Sequence, residues 1–256
     1  MANYSLENMD KFIINTGNIL SIKDITKKPN QNLSEELADA INFTFKEFQS
    51  NGTSQPQSDQ LLVVNRHNDN LKIDEHDLAD LKIGFKIFLN KDNQASLAEA
   101  VQQALSMLNV DGINDVIITF KQQHSEDKKD NLEQIQNAWR ILESLVESDK
   151  IKEIGIADVE ENTFRALHQW ANVKPNIIQI NLATCCVVPP SLQDFCKDND
   201  IKLLTHSDPS DILPKSYIEE IFGKPLVLKW ALRFLIHVKC RGVLTTKGYL
   251  LHFSEV

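Results

Sequence analysis

The chain has 256 residues, of which 42% are hydrophobic and 25% charged, with a formal net charge of −9 at pH 7. These values are typical of a soluble globular protein that buries a full core, and we predict a single domain over residues 1–256. The negative charge disfavours nucleic acid and anionic membranes as partners. The sequence has no apolar run of about 20 residues, no secretory signal and no disulfide scaffold, which predicts a cytoplasmic protein.

The first half of the chain alternates helix-like and strand-like segments. Residues 34–49 are predicted to be a helix, because large apolar side chains recur at helical spacing after a serine that can cap it. Residues 51–60 (NGTSQPQSDQ) have almost nothing to bury, and we predict a flexible loop. Residues 61–64 and 82–89 are predicted strands, and a helix is predicted over residues 96–108.

The second half repeats the same alternation. Residues 116–120 (VIITF) form a continuous apolar run, which suits a parallel strand covered on both faces. After a helix that begins near Leu132, we predict strands over residues 153–156, 177–182 and 201–205, separated by helices over residues 162–170 and 191–197. Pro225 can begin a last helix that continues to Val238, and its nearly uniform apolar character predicts that it is buried. Residues 243–244 are predicted to be the closing strand.

Repeated strand–helix units are compatible with two architectures. One is a closed barrel and the other is an open, doubly wound sheet. No Gly-x-Gly-x-x-Gly motif follows any predicted strand, which disfavours the dinucleotide-binding open sheet. We therefore predict an α/β protein with a (β/α)8, or TIM, barrel.

Three segments resemble the aldo-keto reductase family: residues 150–156 (KIKEIGI), 173–181 (VKPNIIQIN) and 195–203 (FCKDNDIKL). The resemblance extends from about Lys82 to Thr246 and implies a barrel of that family's type. It also implies a truncated C-terminal tail, because the family continues after its last strand with a basic segment that clamps the adenosine phosphate. In this sequence only Lys247 is a candidate for that clamp.

The residues of the family's reaction are largely replaced in this sequence. In the family, a tyrosine acid with Lys, Asp and His around it protonates a carbonyl oxygen as hydride arrives from nicotinamide. Lys86 matches the lysine, but Phe120 stands at the histidine position, where it cannot donate a hydrogen bond. We find no counterpart of the tyrosine or the aspartate, and we predict no catalytic residue.

The family's cofactor contacts are also mostly replaced. Ala157 and Asp158 stand where a Ser-Asn pair would hold the nicotinamide amide, and His206 stands at the position of the stacking aromatic ring. Gln179 and Ser207 match family positions and are interpreted as relics. The resemblance therefore predicts that the chain uses no cofactor.

The segment THSDP contains two residue types that bind metals, His206 and Asp208. Because no third ligand lies at a recognisable spacing, we predict a network that caps the loop and no metal site. Lys86 is predicted to remain as a structural charge in the barrel mouth, paired with a carboxylate such as Asp158.

A second resemblance covers nearly the whole chain. The regulatory, or modifier, subunits of glutamate–cysteine ligase are similar to residues 15–20 (NTGNIL), 34–37 (SEEL), 173–190 (VKPNIIQINLATCCVVPP), 203–209 (LLTHSDP) and 247–251 (KGYLL). This resemblance implies a heterodimer with the ligase catalytic subunit in glutathione biosynthesis. Binding would raise the affinity of that subunit for glutamate and weaken feedback inhibition by glutathione, through a preference for one of its conformers.

The same resemblance gives the cysteines a possible role in the heterodimer. Cys185 and Cys186 follow a predicted strand, and they are either two small, partly buried thiols or, as the resemblance favours, an inter-subunit disulfide or redox-sensitive contact with the partner. Cys240 lies between a lysine and an arginine, which favour the thiolate, and is a second candidate for pairing with the partner. Cys196 lies on a predicted helix and is interpreted as a core residue.

Two alternative functions remain open at this point. One is an NADPH-dependent carbonyl reductase with a rearranged site. The other is a barrel that binds NADPH without turning it over and senses redox state.

Overall fold

The structure is a computed structural model that describes residues 11–26, 28, 31–50, 61–66, 69–90, 95–121, 132–183 and 188–255. The predicted loop over residues 51–60 lies outside the described residues, as do Cys185 and Cys186.

Strands and helices alternate along most of the described chain. The strands are β1 (Lys11–Asn15), β2 (Leu62–Asn65), β3 (Leu81–Leu89), β4 (Ile113–Phe120), β5 (Ile151–Ala157), β6 (Ile177–Asn181), β7 (Lys202–His206), β8 (Leu226–Val238) and β9 (Val243–Glu255). The helices are α1 (Lys23–Thr26), α2 (Leu33–Ser50), α3 (Ser96–Leu108), α4 (Leu132–Glu147), α5 (Glu161–Trp170), α6 (Pro190–Asp198) and α7 (Lys215–Phe222). Short 3-10 helices cover Ile19–Ser21 and Glu75–Asp80.

All the described strands belong to one sheet, with the order β2-β1-β9-β8-β3-β4-β5-β6-β7. Strands β3 to β7 are parallel, and a helix follows each of them, which is the strand–helix repeat of a barrel. The predicted α/β, barrel-like class is confirmed. The C-terminal region departs from the repeat, because β8 and β9 form a long antiparallel pair between β1 and β3.

The predicted helix over residues 225–238 is wrong, since this segment is strand β8. A continuous apolar run fits a strand that is covered on both faces as well as it fits a buried helix. Here Trp230 and Phe234 pack into one core, while Ala231 packs into a second core on the opposite face. The predicted closing strand at residues 243–244 is the beginning of β9, which continues to Glu255. The other predicted helices and strands are confirmed, with small differences at their ends.

The two faces of the sheet carry separate hydrophobic cores. Helices α3 to α6 pack on one face, where the fully buried Trp139 of α4 donates a hydrogen bond from Nε1 to the Val173 carbonyl oxygen at 2.9 Å. Helices α2 and α7 cover β1, β8 and β9 on the other face, around Phe12, Tyr249 and Phe253. This second face also carries the polar cluster described next.

Candidate functional site

A row of polar side chains crosses three neighbouring strands in the middle of the sheet. Lys86 of β3 is paired with Arg233 of β8, and Arg233 is paired with Tyr249 of β9. Because directly paired residues project to the same face, these side chains lie together. The side chains of Lys86 and Arg233 are only 4% and 11% exposed, respectively. Two adjacent buried cations require a nearby anion.

Asp208, in the loop after β7, supplies that anion. Arg233 donates from Nη1 to Oδ1 at 2.6 Å and from Nη2 to Oδ2 at 3.0 Å, a two-bond arrangement that fixes both groups. Lys86 Nζ contacts Asp208 Oδ2 at 2.7 Å and donates to Gln179 Oε1 at 2.9 Å. The predicted pairing of Lys86 with a carboxylate is confirmed, but the carboxylate in contact is Asp208 and not Asp158, which was named as the example.

The charge states of this cluster follow from its contacts. Burial alone would raise the pKa of Asp208, but hydrogen bonds from His206 and Arg233, with the charges of Arg233 and Lys86, hold that pKa well below its usual range. Burial lowers the pKa of Lys86, and the adjacent Asp208 opposes the shift. Burial also raises the pKa of Tyr249, against the effect of Arg233, and the phenol stays protonated at neutral pH.

His206 connects this cluster to the end of β5. Its Nε2 lies 2.9 Å from Asp158 Oδ1, and its Nδ1 lies 3.2 Å from Asp208 Oδ2. Thr119 Oγ1 donates to the other oxygen of Asp158 at 3.0 Å. Burial by itself lowers the pKa of His206, but hydrogen bonds to both carboxylates outweigh burial and raise it. This is the loop network that the THSDP segment predicted.

A cavity of about 410 Å³ opens beside the cluster at the carboxyl ends of the parallel strands. This is the end at which barrel proteins bind their ligands. Thr119, Asp158 and Asp208 form part of its polar wall, and Phe88 and Phe120 form part of its apolar wall. Phe120 therefore places a ring without a hydrogen-bond donor in the cavity.

The described part of the cavity wall differs from the tyrosine and histidine arrangement that the family resemblance implies for a reductase. Among the described residues that line it there is neither a tyrosine nor a histidine. Tyr249 is fully buried, and its hydroxyl lies 3.5 Å from Glu36 Oε1 of helix α2. Lys86 is neutralised by Asp208, so it is engaged in an ion pair inside the protein.

The structure brings together only part of the predicted set of residues. Lys86 and Gln179 are in direct contact, whereas Ser207 is exposed to solvent. Sequence reasoning did not predict a role for Arg233, because the residue fell inside a predicted helix. An arginine within the apolar run WALRFL was nevertheless a usable signal, since a buried guanidinium needs a carboxylate partner.

The described cysteines occupy different environments. Cys196 is buried in helix α6, as predicted, and burial raises the pKa of its thiol. Cys240 is exposed in the turn between β8 and β9. Roles for Cys185, Cys186 and Cys240 in partner contact stay predictions. No helix in the described part of the chain combines the length and apolar character needed to cross a membrane.

The fold and site place the chain in a known class of proteins. The model of the aldo/keto reductase family matches residues 64–208, and the chain belongs to that family. Within it, the chain belongs with the glutamate–cysteine ligase regulatory subunits. It is 36% identical to the human protein of that name over 250 residues, which cover 93% of this chain and 90% of that protein. The mouse protein is 35% identical over the same shares of the two chains.

Among solved structures, the chain matches aldose reductase from Giardia lamblia. The TM-score is 0.37 at 18% identity, and the alignment covers 68% of this chain and 53% of the other.

Proposed function

We propose that this chain is a non-catalytic regulatory subunit that binds the catalytic subunit of glutamate–cysteine ligase as a heterodimer. Binding raises the affinity of the catalytic subunit for glutamate and weakens its feedback inhibition by glutathione. The observation that carries this proposal is the 36% identity, over 93% of the chain, to a protein named as the regulatory subunit of that ligase.

The contacts at the candidate site support the non-catalytic part of the proposal. A reductase needs a lysine that tunes an acid facing the substrate. In this chain the ammonium group of Lys86 is bound by Asp208 and Gln179, and Phe120 lines the cavity at the predicted histidine position. The phenylalanine ring has no proton to donate to a carbonyl oxygen, and no tyrosine acid for Lys86 to tune lies among the described residues that line the cavity.

The regulatory effect requires only that the chain bind two conformers of its partner unequally. A tenfold preference for the conformer with higher glutamate affinity corresponds to about 1.4 kcal/mol of coupling free energy. By linkage, glutamate must strengthen the association of the two subunits by the same factor when the coupling is in binding. That reciprocity needs no chemistry in the regulatory subunit itself.

The direct experiment reconstitutes the two subunits and measures ligase activity against glutamate concentration. We expect a stable complex, a lower KM for glutamate and weaker inhibition by glutathione than for the catalytic subunit alone. Ser207→Ala is the matched control, because this exposed reductase relic should leave the effect unchanged. The proposal would be contradicted if the catalytic subunit responded to glutamate and to glutathione in the same way with and without this chain.

NADPH titration of the isolated chain, followed by nicotinamide fluorescence, tests the two alternative functions. We expect no saturable binding at micromolar cofactor. Saturable binding would favour the redox-sensing alternative. Oxidation of NADPH that depends on an added carbonyl compound would favour the reductase and exclude a non-catalytic role.

The proposed disulfide with the partner is tested on non-reducing gels. Variants Cys185→Ser, Cys186→Ser and Cys240→Ser are each reconstituted with the catalytic subunit, and loss of a covalent band in one variant identifies its bridging thiol. A band that persists in all three variants would contradict these assignments.

A further inference from the structure

The ring of His206 lies between two carboxylates inside the protein, and its side chain is only 7% exposed. Asp158, directly after β5, contacts Nε2 at 2.9 Å, and Asp208 contacts Nδ1 through Oδ2 at 3.2 Å. The charge of Lys86 on β3 and the burial of the ring oppose a positive ring, and both carboxylates favour it. Arg233 of β8 acts through Asp208, to which it is bound.

The Nδ1 atom of His206 is within hydrogen-bond distance of two groups of Asp208 that require opposite states of the ring. The backbone nitrogen of Asp208 lies 3.1 Å from Nδ1, and its N–H can donate there only when Nδ1 carries no proton. The carboxylate oxygen Oδ2 lies 3.2 Å from Nδ1 and can accept only when Nδ1 is protonated. The two contacts are therefore alternatives, and the proton on Nδ1 selects between them.

The contact at Nε2 is common to both states. Thr119 Oγ1 donates to Asp158 Oδ2 at 3.0 Å, which orients the carboxylate that faces Nε2. A neutral ring with its proton on Nε2 donates to Asp158 and accepts at Nδ1, whereas a charged ring donates from both nitrogens. The second proton, which comes from solvent, is therefore gained at Nδ1 without any rotation of the ring.

The carboxylate of Asp208 is held in place in both states. Arg233 donates to its two oxygens at 2.6 and 3.0 Å, and Lys86 Nζ contacts Oδ2 at 2.7 Å. A carboxylate with three charge-assisted contacts has little freedom to move towards the ring or away from it. The adjustment between the two states must therefore come from the backbone of the loop.

One peptide of this loop is free to make that adjustment. The His206 carbonyl oxygen accepts from Leu182 N–H at 2.9 Å, and the Asp208 carbonyl oxygen accepts from Asn181 Nδ2 at 2.7 Å. The peptide between Ser207 and Asp208 lies between these two anchors. Its N–H is the group that faces His206 Nδ1, and Ser207 is exposed to solvent.

We propose that His206 is a pH-sensitive switch that turns the Ser207–Asp208 peptide at the mouth of the cavity. Above the midpoint of its titration, the neutral ring holds the Asp208 N–H. Below the midpoint, the charged ring binds Oδ2 and releases the N–H. The residues that follow, 209–213, line the cavity, so the turn of the peptide alters its wall. The switch belongs to the isolated chain, and its test does not depend on the proposed function.

Nuclear magnetic resonance of the isolated wild-type chain tests the switch directly. The ring nitrogens of His206 should titrate with a midpoint above the ordinary pKa of about 6.5, because hydrogen bonds to both carboxylates raise the pKa of the ring. The amide chemical shift of Asp208 should change with the same midpoint. Relative to the intrinsic exchange rate, the protection of this amide should fall about fivefold on acidification, the factor that corresponds to a hydrogen bond of about 1 kcal/mol.

Two histidine variants separate this response from a general effect of pH. His206→Asn keeps a side-chain oxygen that can accept from the Asp208 N–H but does not titrate, so the Asp208 amide should be independent of pH between about pH 5 and 8. His252→Asn is the matched control, because His252 has a side chain that is 13% exposed and pairs with Trp230, which packs into the core on the opposite face of the sheet. In this variant the Asp208 amide should respond as in the wild type.

The switch is refuted if the ring of His206 titrates while the Asp208 amide stays unchanged, or if the ring does not titrate between about pH 5 and 8. A response of the Asp208 amide that persists in His206→Asn, or disappears in His252→Asn, would assign the response to another group and would also refute the switch. If His206→Asn does not fold, the wild-type titration decides, because it follows the ring and the amide in one sample.

Discussion

Replacing Asp208 by asparagine keeps the shape of the side chain and removes the negative charge that Lys86 and Arg233 share. Both cations are nearly inaccessible to water, with side chains 4% and 11% exposed. Removing one partner from a buried ion pair costs about 3–5 kcal/mol, because the remaining charge is left uncompensated. We expect D208N to lower the free energy of unfolding by about that amount at pH 7.

Denaturation by urea and by heat provides the measurement. For a domain of this size, about 1 kcal/mol shifts the melting temperature by roughly 2–4 °C, so the expected decrease is about 6–20 °C. Asp115→Asn is the matched control, because Asp115 is also buried on this sheet but pairs with Lys82, whose side chain is 51% exposed. An exposed lysine is not stranded when its partner is neutralised, and D115N should cost about 1 kcal/mol or less.

The pH dependence of the D208N effect has a defined sign. The pKa of Asp208 is depressed in the folded state, so its stabilising contribution is present above the unfolded pKa of about 3.9. That contribution is lost only as pH falls through the lower folded pKa. The titration of Asp208 itself should therefore leave the difference between D208N and wild type unchanged between about pH 5 and 7. A change in that range would report His206, whose raised pKa depends partly on its hydrogen bond to Asp208.

A second substitution tests the physical cause. Adding Lys86→Met to D208N removes one of the two uncompensated cations, and we expect the double variant to recover part of the lost stability. The reasoning is refuted if D208N and D115N cost the same, or if Lys86→Met destabilises the D208N variant further.

Three further measurements test other features of the structure. The pKa of His206 is raised, so wild type should lose stability relative to His206→Gln as pH rises above about 6.5; parallel stability–pH curves would contradict this. Exposed Cys240 should react with a thiol reagent well before buried Cys196, and equal rates by peptide mass spectrometry would refute the assignment. Gly155→Ala should cost about 1–3 kcal/mol, because its Cβ would lie 2.6 Å from Ile177 O; an unchanged urea midpoint would be inconsistent with that contact.

Local sequence pattern predicted most of the strand–helix repeat correctly. Strand β4 was recognisable from the apolar run VIITF, and helix α3 was recognisable from the helical spacing of its apolar residues. In both segments the order of the side chains along the chain indicates which type of element can bury them. The same reasoning failed at β8, where LVLKWALRFLIHV is apolar in nearly every position. A run without periodicity does not distinguish a buried helix from a strand between two others, and only the pairing with β3 and β9 decides it.

The sequence by itself determined the alternating elements and the family, because these depend on residue identity and local spacing. The tertiary structure alone decided that Lys86 is bound by Asp208, since the two residues lie far apart in the chain and meet only across the sheet. It also decided that β7 lies at one end of the sheet that the described residues form. That outcome depends on where β8 pairs, and long-range strand pairing is a property of the whole sheet that no local pattern encodes.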